Sequence, residues 1–353
     1  MMILLVDDAV GETRRALMDE EDRRIYRLEI ERWSERDKRA KLDEIWWGRA
    51  HSRSTGNRGW FVDLGLEADG LLETEAAITE GALIPVRVKS ESWAGKSATL
   101  SLADMPSSTP RPAGPQFHAA PKNDPLATSA MPNTFGIDAR TAIDAAIEEA
   151  LSRTAAISTG GRLVIEHTQA LTAIDVDSAG RKGGKDFELE LNMHAASEAA
   201  RQIALRNIGG IVVVDFVTIK KDRAKVSDFF RTHLEICLGR SSQVLEISPI
   251  GLCEAAIARR NRPVADALGC PPEEREALDA LRLIETEGRN GPERIEAVLS
   301  RDAAAWLERD TIGWQKALAD RIGARWTIRA EDRPAFQVQK GQPPSLPRVW
   351  RPT

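Results

Sequence analysis

Hydropathy along the chain has a period of two through most of the first hundred residues and turns to helical spacing further on. MILLVDD near the start and RRIYRLEIER at 23–32 are both strand-like, the second with Ile25, Leu28 and Ile30 among charged residues. They are expected to pair as a β-hairpin within residues 1–40 that packs on the part of the chain at 133–268. Five short strand-like segments follow (IWWGRAHS, GWFVDLG, DGLLET, LIPVRVKSES and SATLSLA). Their close spacing and glycine turns predict an OB-type barrel over 41–103. Residues 104–132 are rich in Pro, Ser and Ala and read as a linker or long ordered loop.

The pattern changes after that point. DARTAIDAAIEEAL predicts a helix with Ile143, Ile147 and Leu151 in register and Asp138 as its cap. Two strands at 162–167 and 171–176 are separated by a polar turn, which fits a hairpin. A helix over roughly 190–208 follows, with Asn192 placed to cap it and Gly209 and Gly210 to stop it. The run at 211–216 is β-branched and uncharged up to Asp215, as in a strand buried on both faces. Strand, helix, strand at 171–216 is a βαβ-type crossover. Further on come a helix with Val226, Phe229, Phe230, Leu234 and Leu238 inward, ended by Gly239, then a strand in SQVLEISPIG and a short helix in LCEAAIARRNR. This α/β part covers 133–268. A small α/β domain is expected over 269–340, starting with a helix opened by proline and closed by Gly288. The last residues, 341–353, hold four prolines and read as a flexible tail.

Composition narrows the class. With 353 residues, 42% hydrophobic and 29% charged, the chain has ample length for two or three domains. A net charge of −5 excludes nonspecific binding of nucleic acid by bulk charge but leaves room for a local basic channel. No apolar run approaches membrane-spanning length, and MMILLVDDAVGE is too short and acidic for a signal peptide. A cytoplasmic protein without membrane contact is therefore expected. Cys237, Cys253 and Cys270 are far apart and without a CxxC pair, as in buried thiols.

The candidate chemistry lies in the crossover. Asp175 and Asp177 stand two apart on one strand, so both carboxylates project to the same face. Asp215 ends the neighbouring strand. Three carboxylates at adjacent strand ends suit a hard divalent cation, which prefers oxygen ligands. Basic residues flank them: Arg181, Lys182 and Lys185 in one loop, Lys220, Lys221 and Arg223 after the second strand. The bland readings are turn or cap duty for the aspartates and solvated loops for the bases. No histidine pair has metal spacing, and KGGK lacks the frame of a nucleotide-binding loop.

One stretch carries a longer likeness. TAIDVDSA, the glycine pair at 183–184, Asn192, Ala195, Ala196, Glu198, the run ARQI at 200–203, LRNIGG at 205–210 and IVVVDF resemble the catalytic region of the bacterial ribonuclease E/G family. The resemblance implies a DNase I-like/RNase H-like catalytic α/β layer with an inserted S1-type OB β-barrel and a small C-terminal α/β domain. It implies Mg²⁺, or Mn²⁺, held by Asp175 and Asp215, with Asp177 in support where the best-studied branch carries asparagine. It implies endonucleolytic cleavage of single-stranded RNA, without specificity for DNA, leaving a 5′-phosphate and a 3′-hydroxyl. Phe61 and Lys96 take the positions of RNA contacts on the barrel, while the family's second aromatic falls on Leu71. Arg181, Lys182, Lys185, Lys220 and Lys221 complete the expected RNA grip.

Two departures stand out. The family's 5′-end-sensing segment, with its Arg–Thr pair, has no counterpart in 104–132. LGCPPEE provides Cys270 but no second cysteine, so no structural zinc link is expected. A monomer or a homodimer stays open. The alternatives to a nuclease are an RNA-binding protein without turnover and a protein-interaction scaffold.

Overall fold

The structure is a computed structural model that describes residues 1–54, 59–93, 95–121, 126, 133–180, 187–217, 222–332 and 337–340. It is a mixed α/β protein whose chain divides into two compact units. One comprises Met1–Val6, Arg15–Glu29 and Asp37–Leu268; the other comprises Asp7–Arg14, Ile30–Arg36 and the chain from Gly269 on. Among the described residues no helix is long and apolar enough to cross a membrane.

The chain opens with three strands rather than two: β1 (Met2–Ala9), β2 (Glu12–Asp19) and β3 (Ile25–Arg32). The two apolar segments expected to pair with each other instead flank β2, in the order β1-β2-β3. The middle strand escaped notice because its alternation is hidden. Glu12 and Arg14 occupy inward positions and are buried, with Arg14 Nε donating to Glu12 Oε1 at 2.6 Å. A buried carboxylate and guanidinium are tolerated when they satisfy each other.

The barrel follows the sequence pattern closely. Its strands are β4 (Ile45–Ser54), β5 (Gly59–Asp63), β6 (Gly70–Glu73), β7 (Leu83–Ser90) and β8 (Thr99–Leu102). Pairing runs β4-β5-β6-β8-β7 and back to β4, so the sheet closes on itself and has no open edge of its own. The β6–β8 pair is parallel and the others antiparallel, an OB-like connectivity. Trp46, Trp60, Val62, Leu72, Val86 and Leu100 fill the interior. Part of the stretch expected to be a linker is a strand: β9 (Gln116–Ala119) adds to β4, and Phe117 meets Trp46 edge-on at 5.5 Å.

A second sheet carries the crossover. The elements are β10 (Asn133–Phe135), α1 (Ile137–Leu151), β11 (Thr154–Ala156), β12 (Arg162–His167), β13 (Leu171–Asp177), α2 (Phe187–Leu205), β14 (Gly210–Asp215), α3 (Arg223–Leu238), β15 (Gln243–Val244), β16 (Leu252–Ile257) and α4 (Val264–Leu268). Here β10 joins β1 in parallel, and the remaining strands form a six-stranded sheet ordered β11-β12-β13-β14-β16-β15. Only β13 and β14 run parallel, because α2 crosses between them. Ile174, Val176, Val212 and Val214 point into one core with Ala195, Ala199 and Ile203 of α2 and Phe230 and Leu234 of α3.

Several local expectations are corrected here. β14 is buried on one face only: Ile211 is 54% exposed and Asp215 also faces out. The segment LCEAAI, expected to be helical from its Ala and Glu content, is the strand β16. Cys253, Ala255 and Ile257 are buried while Glu254 and Ala256 face out, and the pairing with β14 overrides helix propensity. The strand expected in SQVLEISPIG shrinks to the two residues of β15. Gly136 rather than Asp138 is the N-cap of α1; Asp138 lies in the first turn, where its charge suits the helix dipole. The end of α2 is turned by Asn207, left-handed at φ 56°, and its side chain donates to Leu28 O at 3.1 Å.

The second unit contains α5 (Pro272–Arg289), β17 (Ile295–Ser300), α6 (Arg301–Glu308), α7 (Trp314–Ile322), β18 (Trp326–Glu331) and β19 (Gln337–Lys340). Its sheet runs β18-β17-β19, with β18 parallel and β19 antiparallel to β17. Gly288 does not close α5. It lies inside the helix, where a Cβ would come within 2.5 Å of Ile322 Cδ1, so glycine lets α7 approach.

Candidate functional site

The parallel register of β13 on β14 sets Asp175 directly opposite Asp215. Adjacent strands lie about 4.8 Å apart, so two carboxylates on one face at matched positions are forced together. Both residues are exposed, on the face away from α2 and α3. Neither carboxylate has a hydrogen-bond or ion-pair partner among the described residues. Burial of the Asp175 carboxyl raises its pKa above the ordinary carboxylate range, and the charges of Asp215 and Asp177 push the same way. Two facing carboxylates open to solvent offer oxygen ligands to a cation.

Asp177 is different. Its Oδ2 accepts from Arg162 of β12, with Nε at 3.0 Å and Nη2 at 2.9 Å, and its Oδ1 accepts from Ala179 N–H at 2.8 Å. The backbone bond and then Arg162 hold its pKa below the usual value. Asp177 is thus occupied with the turn that follows β13. Among the described residues there is no group of three or more His, Cys, Asp or Glu arranged to hold a metal ion. What the fold brings together is a pair, with the third carboxylate anchored beside it.

Asn192 was expected at a helix end but lies within α2, fully buried. Its Oδ1 accepts from Val217 N–H at 3.1 Å and its Nδ2 donates to Val217 O at 2.9 Å. The backbone two residues past Asp215 is thereby clamped to the helix. A polar side chain on the same stripe as Ala195, Ala196 and Ala199 was the available signal for this role.

Arg181, Lys182, Lys185, Lys220 and Lys221 lie outside the described residues. Arg223 opens α3. On the barrel, Phe61 is half-buried while its neighbour Trp60 is in the core. Leu71 sits opposite Phe61 on β6. A register shift between Ala50 and Ser52 leaves His51 as an extra residue on β4, where a bulge re-aims its side chain. Its ring stacks with Phe61 at 6.5 Å and 25°, and Asp69 holds its Nε2 at 2.8 Å. Nothing in its sequence spacing singles out His51. Lys96 is exposed, its Nζ 5.2 Å from the Trp93 ring, and Arg259 approaches that ring at 5.7 Å.

Residues 122–261 match the sequence pattern of the Ribonuclease E/G family, a span that contains β13, α2 and β14. Over this segment the chain is similar to the ribonuclease E/G family. It is 34% identical over 154 residues to Ribonuclease E of Synechocystis, covering 42% of this chain and 22% of that protein. With Ribonuclease E of Escherichia coli it shares 32% over 223 residues, 57% of this chain and 21% of the relative. A chloroplastic Ribonuclease E/G-like protein of Arabidopsis thaliana is 39% identical over 127 residues, 34% of this chain and 13% of that one. The chain thus aligns with about a fifth of the length of the bacterial relatives, from 21% to 22%.

Proposed function

We propose that this ribonuclease E/G family chain is a Mg²⁺-dependent endoribonuclease that cuts single-stranded RNA in the cytoplasm. The observation that carries this reading is the in-register pair Asp175 and Asp215, without a partner among the described residues. The donor set fits the group: Mg²⁺ takes one or two carboxylates and keeps several waters, and Mn²⁺ accepts the same ligands. When bound, Mg²⁺ supplies a lowered pKa for a coordinated water and a positive charge for the phosphoryl oxygen.

The remaining steps belong to the chain. Asp175 and Asp215 would hold the ion at the carboxyl ends of β13 and β14. Asp177, fixed by Arg162 and Ala179, keeps the end of β13 from fraying and so aims Asp175. Asn192 does the same for the backbone beyond Asp215. Phe61 offers a base a stacking surface on a barrel of S1 type, with His51 beside it in place of the aromatic that Leu71 lacks. Lys96 and the loop bases Arg181, Lys182, Lys185, Lys220 and Lys221 would contact phosphates. Cleavage would leave a 5′-phosphate and a 3′-hydroxyl.

The test uses a 5′-labelled A/U-rich oligonucleotide with purified protein, with and without Mg²⁺. Cutting should require the ion and vanish in Asp175→Asn and Asp215→Asn, while binding in EDTA persists in both. Wild-type protein that binds the strand but never cuts it in Mg²⁺ or Mn²⁺ would instead be an RNA-binding protein without turnover.

A further inference from the structure

At the opposite end of β14 from Asp215, about 16 Å away at strand rise, lies a cleft of about 50 Å³. Arg27, Arg240, Arg260, Asn207, Gly209 and Asn261 are among its walls. Three elements deliver the arginines: β3, the turn after α3, and the segment after β16.

Their existing bonds leave the positive charge largely uncancelled. Arg27 spends Nε and Nη2 on one carbonyl, that of Cys237, at 3.1 and 3.0 Å. Arg240 donates Nη2 to Ala258 O at 3.0 Å, and its Nε is buried without an acceptor. Among the described residues only Arg260 of the three has a carboxylate, Asp43 Oδ2 at 2.8 Å. The acidic wall residue Glu29 is itself bonded to Arg15. Burial pushes Arg240 down to about 10, and the charges of Arg260 and Arg27 add to the effect. Arg27 is lowered for the same two reasons, burial first and then Arg260.

Carbonyls accept hydrogen bonds but do not neutralise a guanidinium, and like charges gathered around a cleft are costly unless an anion joins them. The planar fork of arginine matches phosphate oxygens two at a time. We propose that the cleft bounded by Arg27, Arg240 and Arg260 is a phosphate-binding site, separate from the acidic pair. The phosphate is either a phosphodiester of a bound RNA strand or a small free phosphate, and the two sources are separable.

The experiment titrates full-length wild type, Arg240→Gln and Arg240→Lys with inorganic phosphate at constant ionic strength in chloride, reading thermal midpoint and calorimetric heat. Wild type should show a saturable rise in midpoint. Arg240→Gln should bind about tenfold more weakly, the loss expected for one charged hydrogen-bonding group. Arg240→Lys keeps the charge but not the fork and should fall between, which serves if the glutamine variant does not fold. A second arm measures anisotropy of a labelled single-stranded RNA in EDTA over a salt series. Weaker RNA binding by Arg240→Gln, with a salt slope lower by about one, assigns the site to the RNA backbone. Unchanged RNA binding with weakened phosphate binding assigns it to a free phosphate. A wild-type midpoint no higher in phosphate than in chloride, or equal phosphate affinity in all three proteins, overturns the proposal. Because the phosphate arm involves no cleavage, its failure is distinct from failure of the nuclease reading.

Discussion

The open and covered sides of the β13–β14 sheet handle charge in opposite ways. On the open face Asp175 and Asp215 sit opposite each other without a cationic partner among the described residues. On the covered side, α2 buries Glu198, Arg201 and Gln202, and Arg206 is buried just past its end. There each of these side chains is hydrogen-bonded. Arg201, 2% exposed, bonds Glu198, Glu149 and the carbonyl of Ile25. Gln202 reaches Glu149 and Glu198, Arg206 reaches Gln202 and the carbonyls of Ser152 and Glu149, and Arg24 reaches Glu198. Charged groups that serve the fold are hydrogen-bonded within it, while the acidic pair at the surface has no partner among the described residues.

Removing a charge of the surface pair should therefore stop turnover without harming the fold. For Asp215→Asn, RNA cleavage should fall by about a thousandfold or more, since metal binding supplies several kcal/mol to the barrier. The urea midpoint should stay at or slightly above that of wild type. A large fall in midpoint together with residual cutting would erase the distinction between the two sides.

Removing a hydrogen-bonded charge should do the reverse. Arg201→Met takes from the buried Glu198 one of its two arginine partners, and breaking such a network by one partner costs about 3–5 kcal/mol. Urea unfolding reads this directly. Cleavage per folded molecule, at a temperature where the variant is still native, should stay within about twofold of wild type, because no member of the network faces the acidic pair. A variant as stable as wild type would show that the network contributes nothing.

Much of the open side was legible in the sequence, and most of the covered side was not. Asp175 and Asp177 share a face by strand periodicity alone, and Asp215 ends a β-branched run, so the acidic cluster could be read from spacing. That Asp215 faces Asp175 rather than Asp177 depends on register, which long-range pairing sets. The tie between Asp177 and Arg162 also depends on it, since Arg162 precedes its partner by fifteen residues and meets it only across the hairpin. Arg206, just past the end of α2, is buried for its hydrogen bonds, which no spacing in the sequence signals. β2 and β16 were missed for the same kind of reason: Glu12 and Arg14 look exposed until they find each other, and LCEAAI looks helical until β14 lies beside it. Barrel strands were easy because alternation there is not masked by buried charge.

Asn192 joins the two sides, and its loss should be smaller than that of Arg201. Asn192→Ala strands the N–H and carbonyl of Val217, at about 1–3 kcal/mol for buried groups left unsatisfied. Because the released backbone follows Asp215, cleavage should also fall, and higher Mg²⁺ should restore part of it. Cleavage that drops equally at all Mg²⁺ concentrations would separate Asn192 from the placement of Asp215.

The finest test uses pH, because two aspartates two residues apart should respond with opposite sign. The pKa of Asp175 is raised, so the folded state keeps that proton longer than the unfolded chain does. As pH rises from the unfolded carboxylate value near about 3.9 through the raised native value, the folded state binds more protons, and this residue's contribution to stability falls. Asp175→Asn should therefore gain on wild type over that window. Asp177 is lowered, so its contribution is fully present above the unfolded value and is lost as pH falls through the native one. Asp177→Asn should lose on wild type above about pH 4. Thermal midpoints from acid to neutral pH will show whether the difference curves diverge. Mg²⁺ should flatten the first curve by relieving the repulsion at Asp175, and leave the second unchanged, because Arg162 already answers Asp177. Curves of the same sign, or an equal response to Mg²⁺, would mean that the two carboxylates share one environment and that only one kind of charge exists on this face.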